Sequence, residues 1–94
     1  MSSALEQVAR INDRVKACYL DLHDLLQRLN HFEKAHAMPS QEFFKKFSTG
    51  ALAHETDFFE WYAYLDMSKS LVAKIRILEG ELGNVLEQNL LIAA

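Results

Sequence analysis

Four histidines, His23, His31, His36 and His54, and a single cysteine, Cys18, are the side chains of this chain that first suggest metal binding or nucleophilic chemistry. A structural zinc site needs several such ligands converging from short sequence spacings, and a helical one presents two histidines four residues apart. Neither condition is met: no two histidines stand four apart, there is no His-Glu-x-x-His, and one cysteine cannot build a thiolate cluster. His23 with Asp24 and Gln27 is the densest local group, and a solvated helix face accounts for it. His36 and His54 flank the expected bend of the chain, where a bound ion or a pH-sensitive contact would have a reason to form. Acid–base chemistry would need paired carboxyls held in a pocket. Asp21 with Asp24, and Glu55 with Asp57 and Glu60, are the available sets, and the second suits the positive end of a helix dipole. Cys18 falls on an apolar stripe with no basic neighbour on its own face to favour the thiolate, so it reads as a small buried hydrophobe. There is no glycine-rich phosphate loop. No catalytic, cofactor-binding or metal-binding residue is therefore expected, no cofactor, and no enzyme.

The elements that would position these groups are helices. One proline and three glycines in 94 residues are too few for the turns of an all-β domain. Ser3 followed by Glu6 has the spacing of a capping box and predicts a first helix over about 3–35. Along it Val8, Ile11, Val15, Cys18, Leu22, Leu25, Leu29 and Phe32 step by three and four, a heptad seam. Such a helix would be roughly 45–50 Å long at ~1.5 Å per residue, and must lie along another long helix. Met38-Pro39 ends it, because proline lacks an N–H and pushes its predecessor out of the helical region. Ser40 is placed to cap a short helix over about 40–48 carrying Phe43, Phe44 and Phe47, and Gly50 suits a left-handed stop. A last helix over about 56–88, opened by Asp57 with Glu60 as cap and acid, carries Tyr64, Leu71, Ile75, Leu78, Leu82 and Val85 on one stripe. Gly80 and Gly83 within it are expected to fray or bend its end. The architecture expected is one all-α domain over 1–94, an antiparallel helical hairpin with a short helix at the bend.

Between Phe58 and Tyr64 stand five aromatic rings, and the last helix is apolar over too wide an arc for one neighbouring arm. Phe58, Trp61, Tyr62, Leu65 and Val72 fall on one side, and Tyr64, Met67, Leu71, Ile75 and Leu78 on the next. Large side chains left in water would forfeit several kcal/mol at ~25 cal/mol per Å², against a total stability of ~5–15 kcal/mol. The first set is expected to seal the bend against Phe43 and Phe47. Phe59, on the flank, is the ring expected to meet a partner. The arms are expected to pair between two copies, giving a homodimer in the form of a four-helix bundle.

A net charge of -3 leaves no basic stripe for nucleic acid, so direct binding to DNA or RNA is not expected. No run approaches the ~20 apolar residues that span a bilayer, and no secretory pattern opens the chain, so a cytoplasmic, non-membrane protein is expected. Residues 54–94 carry seven acidic and three basic groups. An acidic, aromatic-rich helix of this kind would be steered toward a basic protein partner, such as a ribonuclease toxin.

Residues 38–65 carry Ser40, Glu42, Phe43, Phe47, Gly50, Leu52, Asp57, Phe59, Glu60 and Trp61 in a run that resembles short bacterial and cyanobacterial helical proteins. In these a Ser-x-Glu-Phe helix start leads through a Gly-x-Leu turn to Asp-Phe-x-Glu-Trp. Such proteins look like the antitoxin halves of toxin–antitoxin pairs, and the resemblance implies that role here. It covers less than a third of the chain, and the "AHET" turn and the long first helix depart from the pattern. The function expected is a small protein–protein interaction or regulatory protein that masks a partner. The alternatives are an adaptor whose task is oligomerisation, or a helical domain binding a ligand or metal at its aromatic bend.

Overall fold

The computed structural model describes residues 3–53 and 55–90. They form three helices, α1 (Ala4–His36), α2 (Ser40–Ser48) and α3 (Thr56–Leu90), and no strand occurs among them. α1 and α3 lie side by side as the arms of a hairpin, and α2 packs on α3 at the bend. The molecule measures 54 × 23 × 20 Å, the long dimension being that of the arms. This is the all-α hairpin with a short bend helix that the heptad seam and Pro39 predict.

Each helix end has a local cause. The Ser3 hydroxyl accepts the Glu6 N–H at 3.2 Å and starts α1. At the other end Ala37 adopts a left-handed conformation (φ 51°), and Met38 N–H reaches back to the Glu33 carbonyl at 3.1 Å. That closure normally falls to glycine, and Ala37 carries a Cβ penalty for it. α2 ends in the same motif with the expected residue: Gly50 (φ 75°) follows the last turn, Ala51 N–H bonds the Lys46 carbonyl, and Gly50 N–H bonds the Phe47 carbonyl. Two expected helix starts are corrected. Ser40 is the first residue of α2 and its hydroxyl is engaged elsewhere, so it does not cap the helix. Asp57 lies inside the first turn of α3, one residue past its start, as a dipole-complementing acid and not a cap. α3 runs as helix through Gly80 and Gly83 to Leu90, and open space surrounds the Cβ position of both glycines.

The core divides along the arms. In one cluster Ile11, Val15 and Cys18 of α1 meet Ile75 and Leu78 of α3, with Leu22, Leu71, Leu82 and Val85 packed against them. Cys18 is buried there as a small hydrophobe. Val8 is only half-buried. In the second cluster Leu29 and Phe32 of α1 meet Phe43 of α2 and Phe58 and Trp61 of α3. Along α3 the inward positions repeat as Trp61, Ser68, Ile75 and Leu82, seven residues apart, with Tyr64, Leu71, Leu78 and Val85 between them. Ser68 therefore sits buried in the seam, and its hydroxyl donates to the Tyr64 carbonyl at 2.8 Å. Two residues expected on the inward sides turn out: Met67 is 52% exposed and Val72 36%. The reason is that Met67 and Val72 flank the seam residues Ser68 and Leu71, and a hairpin of two arms covers only the seam itself.

Candidate functional site

Trp61 is fully buried and is the hub of the bend. Phe43 lies parallel to it, with centroids 3.9 Å apart and 3° between planes. Phe32 (5.8 Å) and His36 (5.6 Å) also stack on it. Its indole N–H donates to the Ser40 hydroxyl at 2.9 Å, which gives the one polar atom of a buried tryptophan its partner. The Ser40 backbone N–H in turn donates to the Glu33 carboxylate at 2.8 Å, so a side chain from α1 caps α2 across the bend. One chain of contacts thus links all three helices: Glu33 on α1, Ser40 on α2 and Trp61 on α3.

The remaining rings form an outer layer. Phe58 is buried against Phe43 (5.5 Å) and His36 (5.1 Å). Tyr62 stacks on Phe44 (5.4 Å, 5°) and lies near Phe47 (5.3 Å). Phe59 is 55% exposed and presents its edge to Phe47 at 5.5 Å, so the ring expected to meet a partner is already held on one side. Tyr64 accepts a hydrogen bond from Arg28 of α1 at 3.2 Å, with the guanidinium 5.3 Å from its ring centre. Lys69 places its ammonium 3.6 Å from the centre of the Phe44 ring.

Among the described residues no three histidine, cysteine or acidic side chains gather as a metal-holding group. His54 lies outside the described residues. His36 continues the α1 heptad one step beyond Leu29, and its ring serves as a wall of the aromatic cluster. Its Nε2 has no hydrogen-bond partner and lies 3.7 Å from the Asp57 carboxylate. Extending the seam by seven residues from Leu29 would have identified this position in the sequence. Glu33 had no such signal, because its partner is set by the path of the bend.

What the hairpin does offer is surface. On the α2 side a groove of about 640 Å³ runs between the arms, floored by Leu22, Leu29 and Leu65 and flanked by Leu26 and Val72. Lys69 and Arg76 stand along it. A smaller hollow of about 350 Å³ at its bend end adds Phe44 and Lys45. The one carboxylate of the larger groove, Glu33, accepts from the Ser40 N–H. The opposite side of the hairpin has two hollows, of about 630 and 650 Å³, that share Asp24, Arg28 and Tyr64. Asp57 and Glu60 line one, Asp21, Asp66 and Met67 the other. Two heptads further from the bend the same side carries Arg10 and Arg14 beside Glu81, so acidic and basic groups alternate along it.

No protein-family model, curated protein or solved structure matches this chain. No helix among the described residues is long and apolar enough to cross a membrane.

Proposed function

We propose that the protein is a protein–protein interaction module without enzymatic activity, whose arms associate with another copy of the chain and whose acidic last helix masks a basic partner in the manner of an antitoxin. One observation carries this reading. The chain exposes 6815 Å², whereas a compact monomer of 10.8 kDa exposes only ~5,500 Å². The excess of roughly 1,300 Å² is larger than one partner's ~800 Å² share of a standard interface. It includes Leu26, Met67 and Val72 on the flanks of the arms, where a two-helix hairpin has nothing to cover them. A purely structural oligomerisation module would use the same surface, and the excess of acidic groups along the last helix favours the masking role over it. The antitoxin reading also rests on the resemblance of residues 38–65 and is tested by co-expression with the adjacent reading frame. A small basic protein that copurifies with this chain and arrests growth when expressed alone is the expected result. A neighbour that neither copurifies nor is toxic rules the antitoxin role out.

A further inference from the structure

We infer that two copies of this chain pair two-fold through the side of the arms that carries Arg10, Arg14, Asp21 and Asp24, with their bends at opposite ends. The inference rests on the self-association proposed above and names the surface and the symmetry that perform it. The observation behind it is a reversal of charge along that side. Arg10 and Arg14 line one hollow and Asp21 and Asp24 another. Ala17, seven residues from both Arg10 and Asp24, stands between them on the same stripe of α1. On α3 the sign changes again, from Lys74 to Glu81 across Ile77. Lys74 belongs to this side because it stands seven residues from Met67 and from Glu81, and Ile77 because it stands seven from Ser70 and from Asn84. The two turning points are level, since Cys18 and Leu78, their neighbours in sequence, share one core cluster. Ala17 is exposed and Ile77 is 64% exposed, so the centre of this side is apolar, uncharged and uncovered.

A two-fold axis passing across the arms at that level lays each arm antiparallel on its own copy. It sets Arg10 and Arg14 against Asp24 and Asp21 of the other copy and Lys74 against Glu81, and it buries Ile77 against itself. A patch that complements its own inverted image is what an isologous contact requires, and closed two-fold pairs are the commonest homo-oligomers. Arg28, opposite Gln7, and Asp66, opposite Gln88 and Asn89, meet no charge, and Asp57 and Glu60 fall beyond the paired stretch. These pairs are new to the dimer. Arg14 and Asp21 stand about two helical turns apart and Arg10 and Asp24 about four, so they do not meet within one arm. An axis along the arms would instead bring Arg14 to Glu81, two groups that already line one hollow in a single chain. The groove beside α2 has no such self-complementarity: Lys45, Lys69 and Arg76 border it with Glu33, whose carboxylate already accepts from the Ser40 N–H.

Two charge-reversal variants test the contact by light scattering. R10E/R14E makes the α1 stripe acidic on both sides of Ala17, and D21K/D24K makes it basic. All four positions are exposed. Each variant alone is expected to associate at least about tenfold more weakly than the unmodified chain, a change of ~1.4 kcal/mol. An equimolar mixture is expected to restore a two-chain complex holding one copy of each, because the acidic stripe then lies on the basic one. Undiminished association of R10E/R14E alone, as a head-to-tail contact onto the basic groove would give, overturns the inference. So does a mixture that stays at single-chain mass while the unmodified chain associates, and in that case the self-association proposed above still stands. An unmodified chain that never associates overturns both. Circular dichroism establishes that each variant is folded, and should either fail to fold, the single variants R14E and D21K carry the same test.

Discussion

At the scale of single residues, the bend depends on one buried hydrogen bond and one strained backbone. Ser40→Ala leaves the Trp61 indole N–H without a partner inside the cluster, a loss of ~1–3 kcal/mol in urea unfolding. Trp61→Phe in the same background removes the orphaned donor, so the second substitution should cost clearly less on top of Ser40→Ala than alone. Equal cost in both backgrounds would show that the bond contributes nothing. Ala37→Gly relieves a left-handed backbone worth ~1–2 kcal/mol and loosens the unfolded chain by ~0.4–1 kcal/mol. The expected net gain is about 0.5–1 kcal/mol, read as a higher urea midpoint with an unchanged slope. Lower stability would mean that the Cβ of Ala37 packs usefully.

At the scale of elements, α2 is held by what reaches it from the two arms. Glu33→Ala removes its cap and should cost ~0.5–2 kcal/mol, with loss of hydrogen-exchange protection at the α2 amides before those of α1. Uniform loss across all three helices would deny the cap this local role. Gly80→Ala and Gly83→Ala should each stabilise α3 by up to ~1 kcal/mol, since nothing occupies the Cβ position of either. The arms and the short helix were legible in sequence because heptad spacing, Pro39 and Gly50 are local signals of helix and stop. Burial of Phe43, Phe58 and Trp61 was legible because so many rings require cover. Ser68 escaped, being polar at a seam position, and so did Glu33, whose partner depends on the three-dimensional course of the bend. Phe59 was assigned to a partner on its flank position alone, and the fold had already given it Phe47.

At the scale of the whole molecule, the long hairpin exposes more surface than its mass requires, with Leu26 and Val72 uncovered on one side of the arms and Met67 on the other. That surface cannot be read from composition, because which side chains the arms leave uncovered depends on how they pair. The central claim is that other copies of the chain cover these sides. Light scattering of the purified protein across the micromolar range tests it most directly. At low salt the mass should rise with concentration above the 10.8 kDa of one chain. A mass that stays at one chain at low salt throughout the range contradicts the account.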